Sequence, residues 1–367
     1  MLKLILQLAL GALIGGSIAI FFLSDGGDIL PHIIPLIGSV ISITVVALIG
    51  IIVHEFGHLV FGLLTGYKFS SFRVGSFIWF KEDGKIQFNI SRSFVAGQCL
   101  MIPSEKPEDF KFVLYNLGGG LLNILFCALL FIIFIVITMV TRENTFWHTL
   151  LITGILMNGV LALVNLVPIK SLTNDGANIR EALKSKEAAR GMHMMLYINN
   201  QTMEGKRYRD FDENLFKVEE GADLKNYMVA YLVILEAARL EDLGQHDAVV
   251  DFYNRLDINK MPPLYRAMVK ADLLYYYTIY HPDFDQAKAI YKDKKLRNFL
   301  KMELPTFMRI SAAYEFFVME DKEKGLKLLK KAKKNAQNLP NKGHRLIELE
   351  YIQKLEILMQ KGTEHAK

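Results

Sequence analysis

The pentapeptide His54-Glu55-Phe56-Gly57-His58 stands inside an otherwise apolar stretch, residues 37–66, and decides how the rest of the sequence is interpreted. No charged residue precedes it between positions 37 and 53, and the sequence returns to apolar residues after the second histidine. At 1.5 Å per residue, a helix over residues 35–64 would be about 45 Å long, more than the roughly 30 Å hydrocarbon core of a bilayer. The stretch therefore predicts a tilted or protruding membrane helix that carries two imidazoles and a carboxylate.

The spacing of these three polar residues predicts a metal site. Positions i and i+4 share one face of a helix, so His54 and His58 can direct ring nitrogens at one ion. Glu55 lies beside them, where a carboxylate can take the proton of an attacking water as general base. Neutral imidazole suits Zn²⁺, and a catalytic zinc site has three protein ligands. Unpaired polar side chains are costly in hydrocarbon, which favours a zinc site over a chance occurrence of the pattern.

Composition predicts a membrane half and a soluble half. The 367 residues are 51% hydrophobic with a net charge of +5, and the mean hydropathy is +0.23. Such a chain is too apolar for a soluble protein of this size, yet its second half is rich in charge. Cys99 and Cys127 form no CxxC pair, which favours free thiols in a cytoplasmic or membrane setting. No Walker loop, dinucleotide fingerprint or nucleic-acid motif is present, so no nucleic-acid partner is expected.

The predicted fold is an α-helical polytopic membrane protein with about four transmembrane helices, followed by an all-α soluble C-terminal domain. The predicted spans are residues 4–23, 35–64, 110–140 and 146–167. The first is expected to be a retained anchor and not the alternative, a signal peptide, because its apolar run is longer than usual for a signal peptide and no Ala-x-Ala site precedes Ser24. Residues 67–92 predict a β-hairpin with its turn at 82–85. Its edge could pair with an extended peptide at the membrane surface, or the hairpin could be a solvated connection.

Loop charge predicts the orientation in the membrane. The loop at residues 24–33 contains Asp25 and Asp28 but no Lys or Arg, whereas residues 67–111 contain seven basic side chains. By the positive-inside rule, the latter region, the N-terminus and the C-terminal domain lie in the cytosol. An integral protein of a bacterial cell membrane is expected, with the histidine pair opening toward the cytosolic side.

A third zinc ligand must come from another element, and the candidates follow Pro168. Asp175-Gly176 stands where a broken helix end can fold back, and carboxylate is an accepted zinc ligand. Asn174 is the competitor, although a neutral amide binds zinc less well. By itself, Asn174-Asp175-Gly176 also fits an ordinary turn.

In combination, these features resemble the site-2 protease family of intramembrane zinc metalloproteases, the peptidase M50-like proteins. The resemblance covers residues 35–180. It includes the His-Glu-x-x-His helix, the strands after it, the Gly118-Gly119-Gly120 segment followed by Asn123, and the sequence from Asn165 through Pro168 to Asp175-Gly176.

This resemblance implies a role for each matching residue. His54, His58 and Asp175 would bind Zn²⁺ and Glu55 would be the catalytic base. Asn165 would contact the substrate or its oxyanion, and Asn123 is assigned the same role. The sequence departs from the family pattern at Thr173-Asn174, which separates Leu172 from Asp175, and at Gly119-Gly120, where the family often has Gly-Pro.

Three domains are predicted: an anchor with its loop at residues 1–32, the metalloprotease core at 33–180, and a helical domain at 181–367. In the last, Ala248, Ala287 and Gly325 are 39 and 38 residues apart. This spacing resembles the tetratricopeptide class, whose period is 34, and a plain helical bundle is the alternative. Stacked helix pairs would offer a surface for a protein partner.

The predicted function is hydrolysis of a peptide bond in or near the membrane segment of a single-span protein or a hydrophobic precursor peptide. The alternative is a catalytically inactive zinc-binding scaffold or adaptor that acts through its helical domain. Glu55 favours the enzyme, since a scaffold has no use for the base.

Overall fold

The computed structural model describes residues 30–82, 84–103, 110–141, 146–169 and 173–364. The predicted first span at residues 4–23 lies outside these ranges. The chain divides into two compact units whose boundary falls between Arg180 and Glu181. They are called the membrane unit and the helical unit below.

The membrane unit contains three helices that are long and apolar enough to cross a bilayer. They are α1 (Leu30–Leu64), α2 (Phe112–Thr141) and α3 (Phe146–Leu166). Their outer surfaces expose large apolar side chains such as Leu125 and Ile132 of α2, while Asn123 and Asn158 are fully buried. Apolar side chains outside and polar ones inside are the arrangement that lipid requires. The chain is therefore an integral membrane protein, and three of the four predicted spans correspond to these helices.

Helices α1 and α2 cross at very short distance because glycines line the crossing. A Cβ atom on Gly57 would lie 2.2 Å from the Gly118 carbonyl oxygen, and one on Gly118 would lie 2.7 Å from the Gly57 carbonyl oxygen. Small residues allow such backbone approach between membrane helices. The Gly-rich segment of the sequence thus brings α2 against the histidine-bearing part of α1.

A two-stranded antiparallel sheet connects α1 to α2. Its strands are β1 (Lys68–Glu82) and β2 (Lys85–Ile102). The turn at 82–85 is where the sequence predicted it, but β2 continues beyond the predicted end at residue 92. Three register shifts interrupt the pairing. Because each bulge breaks the alternation of side chains between the two faces, the sequence pattern does not reveal the full strand.

The end of α1 fixes where β1 begins. Gly66 adopts φ +89°, and the Tyr67 and Gly66 amides donate to the carbonyls of Gly62 and Leu63. This is a Schellman-type helix end, which needs a residue in the left-handed region. The chain therefore turns out of the helix two residues before the strand starts at Lys68.

The helical unit contains no strand within the residues described between 181 and 364. A short helix, α4 (Asp175–Ala182), leads into it. Its further helices are α5 (Lys186–Met203), α6 (Tyr227–Asp242), α7 (His246–Asn254), α8 (Pro263–Tyr275), α9 (Phe284–Tyr291), α10 (Lys294–Leu300), α11 (Pro305–Ala313), α12 (Lys322–Gln337) and α13 (Lys342–Glu364).

Two parts of the helical unit repeat the same local structure. Helices α8 and α11 each end in a π-helical turn, Tyr276–Tyr280 and Tyr314–Val318. In both, an Asp side chain then caps the next helix, Asp283 for α9 and Asp321 for α12. The repeated structure agrees with the 38-residue spacing in the sequence. Membership of the tetratricopeptide class stays a prediction.

Candidate metal centre

His54 and His58 lie on one face of α1, as their spacing predicts. Both side chains are buried, and their Nε2 atoms are 3.2 Å apart. The rings meet edge to face with centroids 4.9 Å apart. The helix alone thus brings two potential ligand atoms to one point.

Hydrogen bonds on the opposite side of each ring set the tautomers. His58 Nδ1 lies 2.8 Å from the Tyr115 carbonyl oxygen, which can only accept. His54 Nδ1 lies 2.9 Å from Asn123 Oδ1. The Asn123 amide nitrogen donates to the Gly50 carbonyl at 3.0 Å and to Asn158 Oδ1 at 2.7 Å, so its oxygen accepts from the ring. Both rings therefore carry hydrogen on Nδ1 and leave the Nε2 lone pairs free, the tautomer a metal ligand needs.

Asp175, the first residue of α4, brings a third atom to the same point. Its Oδ2 lies 3.2 Å from His54 Nε2 and 3.3 Å from His58 Nε2, and this oxygen is buried without a hydrogen-bond partner. Burial opposes ionisation of the Asp175 carboxyl group, whereas protonated His54 and His58 rings would lower its pKa to about 2. With both rings neutral, a cation bound at the same point would favour the carboxylate in the same way.

These three atoms fit a divalent metal ion. The two Nε2 lone pairs and the Asp175 oxygen face one another, and the ligand atoms of all three residues lie within 4.8 Å of each other. Three electron-rich atoms in a buried site repel one another unless a cation lies between them. Two imidazoles and one carboxylate form a donor set that Zn²⁺ accepts.

Asn174 is the alternative candidate for the third ligand, but both polar atoms of its side chain form hydrogen bonds within the local turn. Its side-chain nitrogen donates to the carbonyls of Val164 at 2.6 Å and Val167 at 2.7 Å. Its oxygen accepts from the Ala177 amide at 2.8 Å, which caps the start of α4. The amide of Asn174 thus fixes the chain against the end of α3, while the next side chain faces the histidines.

Gly176 is required by the same turn. A Cβ atom there would lie 2.1 Å from the Leu166 carbonyl oxygen and 3.0 Å from the Pro168 nitrogen. Any larger residue would push α4 away from the end of α3. The Asp-Gly pair singled out in the sequence therefore combines a ligand with the residue that lets it approach.

Glu55 is buried beside the histidines and is covered by β2. The Cys99 amide donates a hydrogen bond to its carboxylate. A Cβ atom on Gly97 would lie 2.5 Å from Glu55 Oε1. The strand therefore passes directly over the carboxylate, and glycine at position 97 leaves room for it.

Gly119 of α2 leaves the corresponding room over the two rings. A Cβ atom at this position would lie 2.5 Å from His54 Cε1 and 2.6 Å from His58 Nε2. The glycine thus permits α2 to pack on the histidines without a side chain in the metal position. Gly119 fulfils this role although it belongs to a part of the sequence that departs from the family pattern.

The two predicted asparagine contacts differ in their surroundings. Asn123 is fully buried, and its described bonds all go to protein groups, including the His54 ring. The Asn165 amide nitrogen donates to the Leu161 carbonyl of its own helix at 2.8 Å. A contact of either residue with substrate or an oxyanion stays a prediction.

Tyr115 connects three parts of the site and was not anticipated from the sequence. Its carbonyl accepts from His58, and its hydroxyl donates to the Cys99 carbonyl at 2.9 Å. The Cys99 amide in turn bonds Glu55. Tyr115 therefore fixes the position of β2 relative to the histidine helix. Backbone atoms make most of these contacts, and backbone atoms leave no signature in a sequence.

The comparison with known families agrees with this geometry. Residues 42–146 match the model of peptidase family M50. The matched segment includes the histidine pair, Glu55, the hairpin and Asn123, and it confirms the predicted resemblance to the site-2 protease family. No curated protein and no solved structure matches the chain significantly. Together with the three apolar helices, the match shows that this part of the chain is similar to membrane-embedded metalloproteases. Asp175 lies outside the matched segment, so its assignment depends on the distances above.

Proposed function

We propose that the chain is an intramembrane zinc metalloprotease. It would hydrolyse a peptide bond in or near the membrane segment of a single-span protein or a hydrophobic precursor peptide. The observation that carries this proposal is the convergence of His54, His58 and Asp175 beside a buried Glu55 within apolar helices.

The zinc ligands in this proposal are His54, His58 and Asp175. Bound zinc would supply a Lewis acid that polarises the scissile carbonyl group. Asn123 and the Tyr115 carbonyl hold the two rings in the ligand tautomer. Because these partners are buried, the rings need no reorganisation when the substrate arrives.

Glu55 is the proposed general base. Its carboxylate takes a proton from the attacking water and then gives it to the leaving amine. The Cys99 amide orients the carboxylate, and β2 shields it from bulk water. Asn165 is proposed to contact the substrate carbonyl or its oxyanion.

Substrate presentation follows from the backbone chemistry of membrane segments. A helix hides its carbonyl groups, so the scissile segment must unwind locally and satisfy its hydrogen bonds elsewhere. In the two-stranded sheet, each strand keeps one edge without a strand partner among the described residues. We propose that the extended substrate pairs with such an edge of the hairpin between residues 67 and 90.

The positive-inside argument supports a proposed orientation. The hairpin and the helical unit would face the cytosol, together with the N-terminus, in a bacterial cell membrane. The helical unit would then stand on the side where a protein partner or the substrate's soluble part is present.

The test combines cleavage with metal content. Single-span membrane proteins tagged at both ends are co-expressed with the native chain or with Glu55→Gln, and zinc is measured in the purified proteins. We expect Glu55→Gln to retain zinc and to lose cleavage, because only the base is removed. His148→Ala, a matched control that removes a buried imidazole from α3, should retain both. Equal processing by the native chain and Glu55→Gln would contradict the protease and favour the inactive zinc-binding scaffold.

A further inference from the structure

A basic cavity lies in the helical unit, separate from the metal centre. Its volume is about 470 Å³, and helices α10, α11 and α12 contribute most of its lining. Five cationic side chains line it against two carboxylates. We call this cavity the basic groove. The cations of the lining therefore outnumber its carboxylates.

The first wall of the groove is a row of cations on α10. Lys294 and Arg297 of α10 and Lys301, the residue that caps the end of this helix, are spaced by three and four residues, so they share one face. All three are exposed. Within the part of the chain that the structure describes, none of them is paired with a carboxylate. This wall therefore presents three uncompensated charges.

The opposite wall is on α12, where Lys324 and Lys331 flank Leu328 on one face. Lys324 Nζ lies 2.7 Å from Glu315 Oε1, and Lys331 pairs with Glu303. These two cations use the only carboxylates of the lining, so the groove retains a net positive charge. Both lysines are about half exposed, which leaves them free to exchange partners.

The floor of the groove is largely apolar. Met308 of α11 and Leu300 of α10 are buried, and Leu328 and Tyr291 complete this surface. Apolar atoms between two rows of cations suit a chain that carries both carboxylates and an aliphatic or aromatic side chain. A flat anionic membrane surface would contact the rims and leave the floor empty.

We propose that the basic groove binds an acidic segment of a partner protein. Carboxylates of the segment contact the α10 row, and one apolar side chain of the segment packs on the floor. The proposal is independent of the zinc site. It assigns a binding role to a surface that the hydrolysis mechanism does not use.

The test measures binding of a short fluorescein-labelled peptide, rich in Glu around a central pair of Leu, to the purified full-length chain by fluorescence anisotropy. We expect Lys294→Glu/Arg297→Glu/Lys301→Glu to weaken binding at least about tenfold, because attraction becomes repulsion. Binding by the native chain should also weaken as salt is added. Should the triple Glu variant fail to fold, the triple Gln variant replaces it, with the same direction of effect.

A matched control carries the same change of charge elsewhere in the helical unit. Lys327, Lys330 and Lys334 of α12 are exposed and do not line the groove. Their replacement by Glu should leave peptide affinity within about twofold of native. Equal losses in the two triple variants would overturn the proposal, as would absence of binding to the native chain. Capture of phosphatidylglycerol vesicles through the α10 row, without peptide binding, would assign the groove to lipid headgroups and also overturn it.

Discussion

At the scale of single residues, the metal centre depends on side chains that never touch the metal position. His54 and His58 can offer their Nε2 atoms to a metal because Asn123 and the Tyr115 carbonyl already accept their Nδ1 hydrogens. Asn174 and Gly176 perform a similar task for Asp175, since they fix the turn that directs its carboxylate. Each ligand thus owes its position to a neighbour that forms ordinary hydrogen bonds or leaves space.

The first prediction concerns Asn123. Replacing it with Leu removes the acceptor for His54 Nδ1, so the ring loses both its orientation and its fixed tautomer. Zinc affinity, measured by competition with a chelator, should fall about 10- to 100-fold. Asn165→Leu is the control, because the described hydrogen bond of that amide stays within its own helix. Equal zinc affinity in native and Asn123→Leu protein would contradict the orienting role.

The sequence predicted which side chains come together better than it predicted the residues that hold them in place. The spacing of His54 and His58 specifies a shared helix face, and a carboxylate after Pro168 is chemically suited to zinc. Ligand chemistry favoured Asp175 over Asn174, but the turn that directs one of these two adjacent side chains inward depends on contacts with the end of α3. The role of Tyr115 was missed for a different reason: its carbonyl contacts His58, and every residue type has a carbonyl.

At the scale of elements, glycines determine how closely α1, α2 and β2 can meet. Gly57 and Gly118 allow the two helices to cross in backbone contact. Gly119 and Gly97 leave space over the histidines and over Glu55. The glycines of α2 and β2 therefore leave room for the His54, His58 and Glu55 side chains of α1.

The second prediction compares two glycines of α1. Gly57→Ala would place a Cβ atom 2.2 Å from the Gly118 carbonyl oxygen, so α2 must shift and take Tyr115 and Asn123 with it. Zinc content and cleavage should both fall. Gly38→Ala is the matched control in the same helix, because a Cβ atom there meets nothing within 4 Å. Should the two variants bind zinc equally well, close packing of α1 and α2 is not what assembles the site.

Helices were easier to predict than the sheet. Hydropathy located three spans to within a few residues because their lipid-facing surfaces are apolar. The hairpin was predicted too short, since its strands have bulges near Gly75 and β2 continues through polar residues before Gly97. The register and the bulges of a sheet depend on both paired strands, so the residue pattern of one strand does not determine where the pairing ends.

At the scale of the whole molecule, the two units bury polar groups in different ways. The membrane unit buries asparagines and the cluster of His54, His58 and Asp175. The helical unit buries an ion pair in which Arg309 Nε lies 3.1 Å from Glu348 Oε2, with the guanidinium stacked against Tyr275 and Tyr351. Burial raises the pKa of the nearby Glu241 to about 8 and that of Asp272 to about 6. This cluster joins residues far apart in the sequence, and no local pattern predicts it.

The third prediction follows from these two carboxyl groups. In the unfolded chain they ionise near pH 4, whereas in the folded chain they retain protons up to about pH 6 to 8. The folded state therefore binds more protons in this window, and the free energy of unfolding should decrease as pH rises through it. Thermal melts by circular dichroism should show a midpoint that falls from pH 5 to pH 8.5.

Glu241→Gln should reduce that dependence, because the group can no longer ionise. Glu303→Gln, a change at an exposed carboxylate, should leave it as in the native chain. If Glu241→Gln melts with the native pH dependence, the buried carboxyl group is not its source.

The organisation into two units also explains how far the sequence could define function. The membrane unit contains the His-Glu-x-x-His motif, whose chemistry can be predicted from its residue types alone. The helical unit has a repeat but no chemical motif, and its basic groove forms only when α10 and α12 face each other across α11. A groove of this kind depends on tertiary structure and could not be predicted from the spacing of residues along the sequence.

The most direct test of the central claim is X-ray absorption at the zinc edge on the purified full-length chain, together with metal quantification. We predict one zinc per chain, with nitrogen and oxygen ligands at about 2.0 to 2.2 Å, an imidazole scattering pattern from two rings, and loss of the metal in His58→Ala but not in His148→Ala. A chain without transition metal, or a ligand shell that contains sulfur at about 2.3 Å, would contradict the account.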